Sequence, residues 1–169
     1  KLLNNVDYLV IARDPISQRK LIQSLTKKYT HIFLEKPLAE ENNFQENTLN
    51  YLEEEKQSFS IFYTFHYLNW YKDLKNIIYS HDSFDISIDW YILKSKNNLN
   101  SWKYNKILGG GIGRYYGIHF FDLIDIYDNY IFSVHNSNDE FYLIIKDPLE
   151  EKKLSIRIKL SKKSSFTIK

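Results

Sequence analysis

The amino-acid sequence predicts an α/β protein in two parts: a small parallel sheet, then an α+β unit with an open, mostly antiparallel sheet. Up to about residue 65, three short apolar runs alternate with two helical patterns, which is the order of a parallel sheet with crossover helices. Beyond that point apolar and polar residues alternate within strand candidates, which is typical of a half-exposed sheet. We therefore divide the chain into residues 1–65 and 66–169.

The first part contains three candidate strands and two candidate helices. The strands are short and nearly continuous in apolar residues, as in a sheet with both faces covered. The helices repeat apolar residues at helical spacing. In order, the predicted elements are a strand at Asp7–Ala12, a turn at Asp14-Pro15, a helix at Ser17–Lys28, a strand at Ile32–Leu34, a helix at Ala39–Lys56 and a strand at Phe59–Phe65.

The second part differs from the first in having longer segments of alternating apolar and polar residues and a run of glycines. Asn and Asp residues separate its later strand candidates, as expected of turns. In order, the predicted elements are a helix at Trp70–Tyr79, a strand at Phe84–Ile92, a polar loop at Lys94–Asn100, a helix from Gly109–Gly111 to about Tyr127, and strands at Ile131–Val134, Glu140–Ile145 and Leu154–Leu160, with turns at Asn136–Asp139 and Asp147-Pro148.

The composition excludes several classes of protein. The chain has 169 residues, a net charge of +2 and no cysteine. Such a small charge favours neither nucleic acid nor a membrane surface as a partner, and the lack of cysteine excludes disulfides and thiolate metal sites. No apolar run approaches the roughly 18 residues of a transmembrane helix. His66, His81 and His135 have no metal-ligand spacing, so we expect no metal site. The first residues lack a signal-peptide layout, and we expect a cytoplasmic protein.

Two segments carry the residues on which a functional prediction depends. In the first, the strand His31–Leu34 runs directly into Glu35-Lys36-Pro37. In the second, the glycines Gly109–Gly111 open a segment that contains Tyr115 and His119. A histidine is suited to acid/base work because its unperturbed pKa is about 6.5. A lysine ammonium can stabilise negative charge that develops on an oxygen in a dry site. Together the two residues can form an acid/base pair beside a bound cofactor.

Taken alone, each of these features has a purely structural interpretation. Lys36 is then a solvated lysine after a strand, since lysines are mostly exposed. His119, beside Phe120 and Phe121, is then a core histidine, and the glycine run is the start of a helix. Only the order and spacing of all the motifs decide between the two interpretations.

That order resembles the Gfo/Idh/MocA (glucose-fructose oxidoreductase / inositol dehydrogenase) family of NAD(P)-dependent oxidoreductases. In that family a strand of the type D-x-V-x-I-A-T-P leads into a helix, and the next strand ends in E-K-P. The corresponding segments are Asp7–Pro15 and Glu35–Pro37. The family's G-G-G-x-x-x-D-x-G-x-H-x-x-D run, preceded by a Trp, matches Gly109–Asp122 after Trp102. The resemblance covers most of the chain and implies a partial Rossmann-type sheet at residues 1–65, followed by a substrate-binding and oligomerisation domain at residues 66–169.

The resemblance also implies roles for individual residues. His119 would be the catalytic acid/base, and Lys36 would orient the substrate and touch the nicotinamide ribose. Tyr115, one helical turn before His119, would face the same way as a third catalytic residue. The implied cofactor-binding residues are Ala12, Arg13, Asp14, Pro15, Glu35, Lys36 and Pro37, the last after a cis peptide. The implied substrate-binding residues are His66, Trp102, Gly110, Tyr115 and His119.

The sequence departs from the family pattern in three places. Tyr115 stands where the family has Asp, and a phenol can donate a hydrogen bond but cannot act as a carboxylate at pH 7. The His expected soon after Pro15 is absent, and Gln18 and Arg19 occupy that region. The chain has no G-x-G-x-x-G loop, which would hold the cofactor pyrophosphate. We therefore expect it to begin in the middle of the nucleotide-binding domain, without the residue that selects NAD or NADP.

The resemblance implies an NAD- or NADP-dependent oxidoreductase that transfers a hydride to or from a hydroxyl or keto carbon of a sugar or sugar nucleotide. It also implies a homo-oligomer, a dimer or tetramer, of the kind found in sugar metabolism. One alternative is a non-catalytic family member that serves as a binding or assembly subunit. A further alternative is a reductase of an imine or unsaturated substrate, which Tyr115 in place of Asp would suit.

Overall fold

The computed structural model describes residues 6–94, 101–123, 131–147 and 151–169, and these ranges contain two separate sheets. The predicted loop at Lys94–Asn100, the end of the helix toward Tyr127 and the turn at Asp147-Pro148 lie wholly or partly outside the described residues. In chain order the strands and α-helices are β1 (Tyr8–Ile11), α1 (Pro15–Gln23), β2 (His31–Glu35), α2 (Asn42–Glu54), β3 (Phe59–Phe62), α3 (Asn69–Ser80), β4 (Phe84–Leu93), β5 (Ile131–Asn136), β6 (Glu140–Asp147), β7 (Lys152–Ser161) and β8 (Ser165–Ile168).

The first sheet is parallel, in the order β1-β2-β3, as predicted. One face is closed by α1 and α2, which bury Ile22 and Leu52 against Ile32 and Leu34 of β2. The opposite face is open, and Val10 of β1 is 65% exposed there. The prediction of a buried first strand is therefore wrong for every second residue, because only one face of β1 is covered in the described part of the chain.

The ends of the first two helices differ from the predictions for identifiable reasons. Asp14 and Pro15 do not form a separate turn: Asp14 caps α1 by accepting a hydrogen bond from the Ser17 N–H at 2.9 Å, and Pro15 is the first helical residue. The second helix begins at Asn42, not Ala39. The residues before it, 36–40, are buried in an irregular segment that follows β2.

The second sheet has the order β5-β6-β7-β4-β8, and its pairs are antiparallel except β4 with β7. This confirms the prediction of an open, mostly antiparallel sheet. The last strand, β8, was not predicted. On one side of the sheet α3 contributes Tyr71, Leu74 and Ile78 to a core that also contains Ile88 and Ile156.

The glycine-led segment is not the regular α-helix that was predicted. It forms a single π-helical turn at Ile112–Tyr116, then 3₁₀ turns at Gly117–Leu123. Gly113 and Gly117 lie directly on the Phe141 ring of β6, where a Cβ would approach ring atoms at 2.8 and 3.0 Å respectively. This close approach holds the segment against the sheet. The change in helical period means that Tyr115 and His119 do not share one α-helical face.

Candidate functional site

A cavity of about 280 Å³ lies at the carboxyl ends of β1 and β2. Strand ends of a parallel sheet are the usual place for a ligand. The lining residues are Ala12, Arg13, Asp14, Glu35 and Lys36 from the strand ends, and Trp102, Lys103 and Tyr115 from the second part of the chain. The cavity is therefore built by both parts.

Lys36 is the most constrained charged group of this cavity. Its residue is only 6% exposed. Its Nζ donates a hydrogen bond to the Tyr115 carbonyl oxygen at 2.5 Å and lies 3.7 Å from the centroid of the Tyr115 ring. Burial lowers the pKa of Lys36 to about 8, with Glu35 acting in the opposite direction and Lys103 lowering it further. An amine with such a pKa can exchange a proton near neutral pH.

Gln18 of α1 fixes the backbone on both sides of Lys36. Its side chain is fully buried; Nε2 donates to the Glu35 carbonyl at 2.7 Å, and Oε1 accepts from the Glu35 N–H at 3.1 Å. Longer bonds from Nε2 reach the carbonyls of Pro37 at 3.4 Å and Leu38 at 3.5 Å. The Lys36-Pro37 peptide is cis, as expected. In the sequence, Gln18 occupies the region where the family has a histidine. Nothing in the sequence indicated these tertiary hydrogen bonds.

The glycine run brings the Trp102 turn against the cavity. A Cβ on Gly110 would lie 1.9 Å from the Trp102 carbonyl oxygen, so this close approach requires glycine. The Trp102 ring then meets the Tyr115 ring edge-on, with centroids 5.1 Å apart. Trp102 and Tyr115 form an aromatic wall, which is the contribution of the second part to the cavity.

Polar contacts connect the parallel sheet to the glycine-led segment. The Arg114 guanidinium donates to the Ala39 carbonyl at 2.9 Å. Next to it, Arg19 of α1 forms a bidentate ion pair with Glu40. This ion pair holds the pKa of the Glu40 carboxyl below its usual range. These contacts anchor the segment that carries Tyr115 over the end of β2.

His66 and His119 belong to a different cluster. The His119 ring is stacked on Phe65, with centroids 4.2 Å apart, and the residue is 4% exposed. The Tyr71 hydroxyl donates to the His119 carbonyl oxygen at 2.9 Å, and the His66 ring stacks on the Tyr71 ring. The described residues that line the cavity include neither histidine.

The predicted site residues thus fall into two groups. Those that line the cavity are Ala12, Arg13, Asp14, Glu35, Lys36, Trp102 and Tyr115. Pro15, Pro37 and Gly110 are buried supports of its walls, and His66 and His119 lie in the aromatic cluster. Lys103 also lines the cavity but was not predicted from the sequence, although its position directly after Trp102 could have indicated it.

Two larger surface clefts lie outside the cavity that contains Lys36. One, of about 420 Å³, is formed between the ends of α1 and α2 by residues including Lys28 and Tyr51. The other, of about 640 Å³, includes Asn105 and Asp139. Neither is lined by a predicted site residue. Among the described residues, no group of three or more His, Asp or Glu could hold a metal ion, and no helix is long and apolar enough to cross a bilayer.

No protein-family model matches the sequence, and no curated protein matches it. Solved structures do match. The WlbA (WbpB) dehydrogenase from Thermus thermophilus, in complex with NAD and UDP-GlcNAcA, has a TM-score of 0.69 and 20% identity over 91% of this chain and 51% of its own. An NAD-binding protein from Listeria innocua has a TM-score of 0.73 and 17% identity, over 98% of this chain and 53% of its own. The myo-inositol 2-dehydrogenase from Lactobacillus plantarum has a TM-score of 0.69 and 16% identity, over 98% and 55% respectively.

The chain has the fold of Gfo/Idh/MocA-type dehydrogenases. At these identities the likeness establishes the fold, which agrees with the resemblance seen in the motifs. The chain spans about half the length of these matched proteins.

Proposed function

We propose that this chain provides the lysine and the substrate-facing wall of an NAD(P)-dependent oxidoreductase. The full protein would transfer a hydride to or from a hydroxyl or keto carbon of a sugar or sugar nucleotide. Residues 1–65 would be the second half of its dinucleotide-binding domain and residues 66–169 its substrate and oligomerisation domain. The observation that carries the proposal is the buried Lys36 amine, in a cavity at the carboxyl ends of parallel strands.

The residues present fit one end of a dinucleotide. A cavity of about 280 Å³ is at the lower limit for a small-molecule site, and its strand-end side would take the nicotinamide end of the cofactor. Backbone groups of Ala12 and Asp14, with the side chains of Glu35 and Lys36, would hold that end. The sequence contains no glycine-rich loop for the pyrophosphate. When bound, the nicotinamide supplies or accepts the hydride.

Lys36 would act on the oxygen of the reacting carbon. As an ammonium it stabilises negative charge on that oxygen, and burial strengthens the interaction because little water competes. Since its pKa is about 8, it can also give up or regain a proton at the pH of the reaction. The Tyr115 ring and carbonyl fix the position of the amine.

The family resemblance implies His119 as the second proton-transferring group, although its ring is stacked on Phe65 and does not line the cavity. It lies four positions after Tyr115 of the cavity wall, and Tyr71 holds its backbone by a hydrogen bond to the His119 carbonyl oxygen. Because its ring is stacked on Phe65, a His119→Phe variant can test this role while keeping an aromatic ring in the stack.

A non-catalytic binding subunit is the second candidate. The observation that favours it is the contact between Lys36 and Tyr115, the residue that replaces the family's Asp. In such a subunit Lys36 would hold the two parts together and would not act on a substrate.

The full protein, mixed with NAD or NADP and a panel of sugars, keto sugars and sugar nucleotides, tests the proposal through nicotinamide absorbance. We expect turnover on at least one substrate, and loss of turnover in a Lys36→Met variant. Nucleotide binding without turnover on any substrate would favour the binding subunit. Calorimetry on the 169-residue chain alone should show weak or no nucleotide binding, because the pyrophosphate loop is missing from it.

The proposal includes a cytoplasmic homo-oligomer, a dimer or tetramer. Exposed apolar side chains on the two edge strands of the second sheet support association there: Phe132 and Val134 on β5, and Phe166 and Ile168 on β8. Sedimentation of the full protein would give the number of copies.

A further inference from the structure

We propose that Lys103 binds an anionic group of the substrate, a carboxylate or a phosphate ester, and so makes the cavity selective for acidic sugars over neutral ones. The inference rests on the proposed function of the cavity and adds a substrate class to it. Lys103 lines the cavity from the turn at Trp102–Tyr104, not from a strand end.

The main chain of Lys103 is held in a fixed place. A Cβ on Gly110 would lie 2.7 Å from the Lys103 carbonyl carbon, so the two backbones are in close contact. The Gly111 N–H donates to the Lys103 carbonyl oxygen at 2.9 Å, and Ser101 caps the turn by accepting from the Lys103 N–H. The glycine run therefore presents Lys103 to the cavity as a fixed part of its wall.

The Lys103 amine shares an aromatic ring with Lys36. Its Nζ lies 5.1 Å from the Tyr115 ring centroid, and the Lys36 Nζ lies 3.7 Å from the same centroid. Each cation is attracted to the ring, but the two repel each other, and the charge of Lys103 contributes to the lowered pKa of Lys36. An anion bound at Lys103 would offset this repulsion.

The charges that line the cavity leave the Lys103 side without a compensating acid. Of the two carboxylates, Asp14 is engaged in capping α1, and Glu35 is adjacent to Lys36 in sequence. Arg13 adds a third cation. Within the described residues, no carboxylate lies within ion-pair distance of Lys103.

The position of Lys103 indicates the substrate, not the cofactor, as the source of the anion. A dinucleotide lies across the strand ends of a parallel sheet, and here these ends contribute Ala12 to Asp14, Glu35 and Lys36. Lys103 comes from the turn beside the glycine run in the second part, on the aromatic wall with Trp102 and Tyr115. With a nicotinamide held at the strand ends, Lys103 would be left for the substrate.

The test compares glucose with glucuronate and glucose 6-phosphate, and galactose with galacturonate, since each set differs only at carbon 6. Binding to the full protein is measured by calorimetry with and without NAD, and kcat/KM is measured for every sugar that turns over. We expect an acidic sugar to bind roughly 10- to 100-fold more tightly than its neutral counterpart, as for a hydrogen bond to a charged group. The Lys103→Gln variant should lose this preference while its binding of the neutral sugar stays within about twofold. Preference for glucuronate or for glucose 6-phosphate identifies the anion as carboxylate or phosphate.

The control is Lys106→Gln, which removes the same charge three residues away, from a side chain that does not line the cavity. It should keep the preference. Equal binding of acidic and neutral sugars, binding of none of them, or an unchanged preference in Lys103→Gln would overturn the inference. Selective binding of acidic sugars without turnover would support the inference and count against the proposed oxidoreductase, so the two failures are distinguishable.

Discussion

Lys36 contacts Tyr115 in two ways, through a hydrogen bond to its carbonyl oxygen and through its ring, although 79 residues separate them in the sequence. The lysine belongs to the end of β2, and the tyrosine belongs to the glycine-led segment against the second sheet. The amine is therefore positioned by both parts of the chain at once. Any movement of one part relative to the other would change the environment of this amine.

The pH dependence of the reaction should report Lys36. Its pKa is about 8 because burial disfavours the ammonium. If the ammonium assists reduction, kcat/KM for reduction should fall about tenfold per pH unit above that value. A Lys36→Arg variant that retains activity should lack this decline, since a guanidinium stays protonated. Rates measured from roughly pH 6 to 10 would test this, and a wild-type profile that is flat through pH 8 would contradict it.

Lys36→Met should stabilise the fold. The pKa of Lys36 is 10.5 in the unfolded chain and about 8 in the folded one, so the unfolded chain holds the proton more tightly. The resulting destabilisation is complete below pH 8 and disappears as the pH rises toward 10.5. We expect Lys36→Met to raise the free energy of unfolding by about 1–3 kcal/mol at pH 7, as measured in urea. The exposed Lys72→Met serves as the control, and an equal gain there would exclude burial of Lys36 as the cause.

Most of the fold, and part of the site, could be predicted from the sequence. Apolar periodicity located β1, β2, β4, β6 and β7 because each of these strands buries alternate or consecutive residues. β3 and β5 were located by their apolar composition, although β3 is only half-buried and the described side chains of β5 are exposed. β8 was missed because its four residues are all exposed and are stabilised by pairing with β4. The helix after Gly111 was predicted as regular because its contact with Phe141 is tertiary and leaves no periodic signal. For the same reason the stacking of His119 on Phe65, and the hydrogen bonds between Gln18 and Glu35, were visible only in three dimensions.

Gln18→Leu should weaken both the fold and the activity. The substitution leaves the half-buried N–H and carbonyl of Glu35 without the Gln18 side chain as a partner. We expect a loss of about 2–4 kcal/mol in the free energy of unfolding, and a lower kcat because the turn that carries Lys36 is released. Gln23→Leu, on the exposed side of the same helix, should change stability by less than about 0.5 kcal/mol. Similar losses in the two variants would show that the Glu35 contacts are unimportant.

His119→Phe separates acid/base chemistry from packing. Phenylalanine can keep the stack on Phe65 but cannot carry a proton. If His119 transfers a proton, kcat should fall by about 10²- to 10⁴-fold with an almost unchanged thermal midpoint. His119→Ala should lose both activity and stability, because it also leaves a cavity in the aromatic cluster. A His119→Phe enzyme as active as the wild type would reduce the residue to a structural role.

Tyr115→Phe tests the phenol alone. The ring and the carbonyl that contact Lys36 are retained, so folding should be almost unaffected. If the hydroxyl donates a hydrogen bond in the transition state, kcat should fall roughly tenfold or more. The control is Tyr116→Phe, because the Tyr116 ring packs edge-on against Trp90 and Tyr116 does not line the cavity. That variant should maintain kcat, and a reversed pattern would assign the phenol chemistry to Tyr116.

The exposed strand β1 determines how readily this polypeptide associates with itself. Tyr8 and Val10 are 61% and 65% exposed on β1, and within the described residues β1 pairs only with β2. An apolar strand with a free edge is a template on which strands of other molecules add. We therefore expect a preparation limited to these 169 residues to self-associate through the edge of β1 as its concentration rises, until another polypeptide segment pairs with that edge.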